Sequence, residues 1–107
     1  MSAPLNDATT ALLRAVRAAF PVGAGFVLEE VRSRAWASVT FTGARHRLVF
    51  RLEGDGAEAA AERFAAGLGA AEFALHGHIL ADISLTAEDR RPGSVRIELE
   101  ALTVEDD

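Results

Sequence analysis

His76-Gly77-His78 is the sharpest chemical signal in the chain. In an extended segment, residues i and i+2 share a face about 7 Å apart, so two imidazoles there can converge on one cation. Asp82 falls on the same alternation, and Glu98 and Glu100 follow on a later segment of the same kind. Nitrogen and oxygen donors in that mix suit Zn²⁺, Mn²⁺ or Fe²⁺. A divalent metal held by His76, His78, Asp82, Glu98 and Glu100 is therefore one expectation, and the only cofactor the sequence suggests. The spacing fixes two ligands and leaves the third open; the plainer alternative is a pair of histidines on a solvent-facing strand.

Arg45, Arg47 and Arg51 form a second set. Alternation puts them on one face of a strand, with Trp36 expected across from Arg51. Cations beside an indole suit an anionic ligand or a stacked base. The alternative is a solvated face carrying a Trp36–Arg51 cation–π contact and an Arg34–Glu53 ion pair. Ser84, Asp82 and His78 supply the residue types of a hydrolytic triad, but one extended strand sets them in a row and hinders mutual hydrogen bonding. No G-x-S-x-G elbow is present, and Gly23-Ala24-Gly25 follows a helix, the reverse of a dinucleotide fingerprint. An enzyme is not the favoured reading.

The elements that must position these groups are legible in the apolar spacing. A first helix is expected from Asp7 to Ala19, capped by Asn6 or Asp7, with Ala8, Leu12, Val16 and Phe20 inward and Arg14 and Arg17 outward. A short strand follows from Phe26 to Arg32. A hairpin is expected from Arg34 to Glu53, turning at Thr42-Gly43-Ala44-Arg45, where a leading glycine suits a two-residue type II′ turn. That register pairs Phe41 with His46, Val39 with Leu48, Ala37 with Phe50 and Ala35 with Leu52 on the core face. A second helix runs from Gly56 to Leu68, capped by Asp55 with Glu58 as capping-box partner and centred on Phe64. A long strand is expected from Phe73 to Leu85, odd residues inward, and a last strand from Val95 to Val104, joined by a loop over residues 87–94.

The fold expected is α+β: a single antiparallel five-stranded sheet with two helices on one face, in the order α-β-β-β-α-β-β. That order is similar to that of type III secretion chaperones, which are small, acidic and dimeric, although their third helix has no counterpart here. All 107 residues fit one domain, with residues 1–5 and 105–107 expected to fray.

Composition narrows the function classes. There is no cysteine, which excludes disulfides, thiolate metal sites and cysteine nucleophiles. Neither a signal peptide nor an apolar run of about 18 residues is evident, and a cytoplasmic location is expected. Every basic residue is Arg. The net charge of −5 argues against generic nucleic-acid binding. The charge is uneven: residues 1–53 carry +3 and residues 54–107 carry −8.

One feature runs against a one-sided sheet. Trp36, Val49, Leu80, Leu102 and Val104 all fall on the face opposite the expected helices. Apolar side chains gathered there mark an interface. The leading expectation is accordingly a non-enzymatic domain that forms a homodimer, or takes a protein partner, through its open sheet face. The identity of any small-molecule ligand is not readable.

Overall fold

A computed structural model describes residues 7–20, 25–70, 73, 75 and 77–105. Asn6, the side chain of Asp7, residues 1–5 and 106–107, which are expected to fray, and His76 lie outside them, whereas Glu105, also expected to fray, is the last residue of a strand. The elements are helix α1 (Asp7–Ala18), strands β1 (Gly25–Ala37) and β2 (Thr42–Glu53), helix α2 (Ala57–Gly67) with a 3-10 turn at Leu68–Ala70, and strands β3 (His78–Arg91) and β4 (Ser94–Glu105). The four strands form one antiparallel sheet in the order β1-β2-β4-β3.

The architecture is α+β as expected, but the sheet has four strands and the order is α-β-β-α-β-β. The short strand at 26–32 and the first arm of the expected hairpin are one continuous strand. The likeness of order to the secretion chaperones, which needed a fifth strand, falls with it. The turn lies at Ser38–Phe41, where the Ser38 amide donates to the Phe41 carbonyl at 2.7 Å and the Ser38 hydroxyl accepts from the Phe41 amide at 3.0 Å. Serine side chains that bond their own turn are a standard turn device. Gly43 does not turn the chain. It sits inside β2, where a Cβ would lie 2.0 Å from the Thr103 carbonyl oxygen and 3.0 Å from Trp36 Nε1. Close backbone approach, not a left-handed turn, is what this glycine provides.

The register therefore differs from the expected one. Trp36 pairs with Gly43, Arg34 with Arg45, Ser33 with His46 and Val31 with Leu48. Val39 and Phe41, expected in the core, are exposed at the turn. Because the shift is an even number of residues, His46, Leu48, Phe50 and Leu52 still point to the helices, as alternation requires.

On that face Leu48, Phe50, Leu52, Val95, Ile97 and Leu99 pack against Leu12, Val16 and Phe20 of the α1 region and Ala57, Ala60, Ala61 and Phe64 of α2. Each fully buried large side chain contributes about 1.5–3 kcal/mol of transfer free energy. Phe64 stacks on Phe20 at 4.7 Å between centroids, and Phe20 meets Phe50 edge-on at 5.5 Å. The small residues of α2 let it lie close to the sheet. Its expected cap is not made: Gly56 is the N-cap, with no side-chain hydrogen bond.

β3 starts later and runs further than alternation suggested. Gly77, at φ +77°, turns the chain just before it. The stretch expected as a loop is strand up to Arg91, closed on β4 by a turn in which Gly93 has φ +74°. Register shifts between Leu80 and Asp82 and between Leu85 and Ala87 each insert one residue. A one-residue bulge exchanges the faces on either side of it. No helix among the described residues is long and apolar enough to cross a membrane.

Candidate interaction face

The face of the sheet opposite the helices is built from alternate residues of all four strands, read in rows from β1 to β3. The first row is Trp36, Gly43, Val104 and Ile79; the next is Arg34, Arg45, Leu102 and Asp82; the third is Arg32, Arg47, Glu100 and Ser84. Then come Glu30, Val49, Glu98 and Ala87, and below them Val27, Arg51, Arg96 and Asp89.

Of the expected interface set, Trp36, Val49, Leu102 and Val104 share this face. Leu80 does not. The bulge between Leu80 and Asp82 turns it to the helix side, beside Thr103 and against the core. Ile79 takes its place on the open face and is 52% exposed. Sequence alternation missed Ile79 because a bulge leaves no signature in side-chain type. At the adjoining turn Phe41 and Val39 are also exposed, so the end of the sheet is an apolar corner of Trp36, Val39, Phe41, Ile79 and Val104, the last four lining a shallow hollow. The Trp36 indole lies against Gly43, and its Nε1 has no hydrogen-bond partner among the described residues.

Val49 stands in a different setting. It is on the uncovered face yet 0% exposed. Arg47 pairs with Glu30 and, at 2.6 Å, with Glu98. Arg51 pairs with Glu29 and, at 2.8 Å, with Glu53, and Arg96 reaches Glu29 at 2.7 Å. The Glu29 side chain is available because the bulge after Leu28 adds a residue to β1. These stems and head groups roof Val49, as long cationic side chains can. The pairing shows in the ionisation. The Thr86 hydroxyl, then Arg47, holds the Glu98 carboxyl below its ordinary range. The hydrogen bond from Arg96 does the same for Glu29 against the opposing cost of desolvation.

Of the expected anion-binding set, Arg47 and Arg51 are thus occupied by carboxylates of the same chain. Arg45 is not. It lies opposite Arg34, and among the described residues neither guanidinium has a carboxylate within ion-pair distance. Like charges directly across a strand pair repel. The same holds with opposite sign on the other half of the face, where Asp82 and Glu100 carry no ion pair among the described residues. Trp36 faces Gly43 rather than Arg51, so the expected Trp36–Arg51 contact and Arg34–Glu53 pair are not formed.

Of the expected metal ligands, those among the described residues are not brought together. His78 pairs with Glu105 on the helix side, while Asp82, Glu98 and Glu100 are on the open face, because the Leu80–Asp82 bulge separates His78 from Asp82 in phase. No group of three or more metal-ligating side chains occurs among the described residues.

A polar cluster that sequence reading missed lies under α1. His46 is buried on the helix face, with Ser33 Oγ 2.7 Å from Nδ1 and Thr103 Oγ1 2.8 Å from Nε2; Thr9 approaches Nδ1 at 3.4 Å. Thr103 also donates to the Ala44 carbonyl. That accounting assigns the proton to Nε2, with Ser33 donating to Nδ1. Burial, then the nearby His78, lowers the His46 pKa, so the ring is held neutral. Its far partner is a neutral threonine rather than a carboxylate, so nothing in the cluster favours an imidazolium; its work is to tie α1 to the sheet.

No family model matches the chain, and no curated protein or solved structure matches it.

Proposed function

We propose that this protein is a non-enzymatic interaction domain that associates through the open face of its sheet. The observation that carries the reading is the apolar corner of Trp36, Val39, Phe41, Ile79 and Val104, which lies beyond the ion-pair roof and in which Val39, Phe41 and Ile79 are exposed. Grouped apolar exposure of this kind, rimmed by charge, is a feature of interfaces rather than of scattered surface residues.

The test is sedimentation of the full chain across the micromolar range, with thermal unfolding as control. Association that rises with concentration, and that Ile79→Asp and Val104→Asp abolish without lowering Tm, supports the reading. A strictly monomeric chain whose single tryptophan is already water-exposed overturns self-association. One observation favours a second reading, anion binding. Arg34 and Arg45 face each other without ion-pair partners among the described residues, beside a hollow that Arg32, Arg47 and Glu100 also line. A thermal shift by inorganic phosphate that Arg45→Glu removes would carry that reading.

A further inference from the structure

We infer that the occupant of the open face is a second copy of this chain, placed by a two-fold axis that runs along the strands between β2 and β4. The inference rests on the interaction reading above and adds its partner and geometry.

Unpaired charge on the open face points to this partner. In the lower half of the face, cations and carboxylates satisfy one another within the chain. In the two rows next to the apolar corner they are sorted by strand. The unpaired cations Arg34 and Arg45 are on β1 and β2, and the unpaired carboxylates Asp82 and Glu100 are on β3 and β4. A surface with positive charge on its left half and negative on its right is complementary to itself after one operation, the half-turn that exchanges the halves. Isologous dimers are made by that operation.

The axis lays β1 of one copy over β3 of the other, and each row over its own reverse. Arg34 then faces the partner's Asp82, and Arg45 lies over the partner's Leu102 next to the partner's Glu100. Arg47, whose two carboxylates hold it in the plane of the face, lies over the partner's Glu100 as well. In the end row Trp36 covers the partner's Ile79, and Val104 covers the partner's Gly43. Both leftover charge sets and the apolar end row, of which Ile79 is the exposed member, are answered at once, and each contact occurs twice. A half-turn across the strands lays β1 over β1 and β2 over β2, so the cations of one copy cannot meet the carboxylates on β3 and β4 of the other.

Aligned sheets pack about 10 Å apart at roughly −30°, which splays the ends away from the contact. Contact is therefore confined to the three rows nearest the turn. Those rows span roughly 20 Å by 19 Å, on the order of 400 Å² of plane per copy. That is below the size of a standard interface. The dimer is accordingly concentration-dependent and weakened by salt.

The charge sorting supplies its own test, on the full chain in sedimentation equilibrium. Arg34→Asp sets two carboxylates against each other at both symmetric contacts, and Asp82→Arg sets two guanidinia against each other. Each variant alone is expected to lose at least tenfold in association. Mixed in equal amounts, they regain both contacts with correct signs, so a heterodimer of near wild-type affinity is expected. If both single variants associate like the wild type, or the mixture stays monomeric, the two-fold arrangement is overturned. Association that Ile79→Asp removes but the charge exchanges leave untouched keeps the interaction reading and refutes this axis. A wild-type chain that is monomeric at every concentration removes both.

Discussion

The two halves of the open face carry the same kinds of residue and end in opposite states. Around Val49, arginines alternate with glutamates across adjacent strands, and their side chains close over an aliphatic residue until no water reaches it. Around Trp36 the same charge types are segregated, two cations on one hairpin and two carboxylates on the other, and Ile79 stays half wet. Neither composition nor net charge separates these regions; adjacency does. A sheet face without helices covers itself where cations and carboxylates pair within the chain, as around Val49, and stays open where they are left unpaired, as at Arg34, Arg45, Asp82 and Glu100.

The two halves should respond differently to substitution. The helix-covered side sets the scale: Phe64→Ala is expected to cost about 3–5 kcal/mol in urea unfolding. A cost under about 1 kcal/mol would mean the helices are not the main cover. On the open face, Val49→Ala should cost about 1.5–3 kcal/mol, as for a buried side chain. Val104→Ala, in dilute solution, should fall within about 0.5 kcal/mol of wild type. Equal costs would show that the ion-pair roof gives no real burial. Gly43→Ala drives a methyl into the Thr103 carbonyl and beneath Trp36. A loss of about 1–3 kcal/mol is expected, together with a red shift of the single tryptophan's emission. The smallest effect is in pH. The folded pKa of His46 is below its ordinary value of 6.5, so the unfolded chain takes up the proton more readily. Its stabilising contribution is complete above pH 6.5 and is lost as pH falls toward the folded pKa. His46→Gln should flatten the decline in Tm between neutral and mildly acidic pH, while leaving the steeper loss that follows protonation of Glu29 and Glu98 at lower pH.

Much of this layering is legible in side-chain type. The stripes of both helices, the inward residues of β4 and the even residues of β2 follow from periodicity alone, because burial on one face enforces it. What escaped was phase. Gly43 reads as a turn residue because glycine serves both turns and close strand approach, and only the neighbouring strand tells them apart. The bulges at Glu29, Ala81 and Thr86 exchange faces with no change in residue type, which is why Leu80 and Ile79 trade places and His78 parts from Asp82. His46 sat on the apolar alternation as its one polar member; its partners Ser33, Thr9 and Thr103 come from three other elements and could not be assembled from spacing.

The strand order has a kinetic consequence. β1 with β2, and β3 with β4, are hairpins whose arms meet across short turns, whereas β2 and β4 join residues as distant as Gly43 and Val104. Closing such a long loop costs more entropy than closing a hairpin, and non-local pairing slows folding. Two ribbons should therefore form early and separately, and the zipping of the central seam should limit the rate. Substitutions that weaken either ribbon are expected to slow refolding, while those in contacts made only after the seam closes chiefly hasten unfolding.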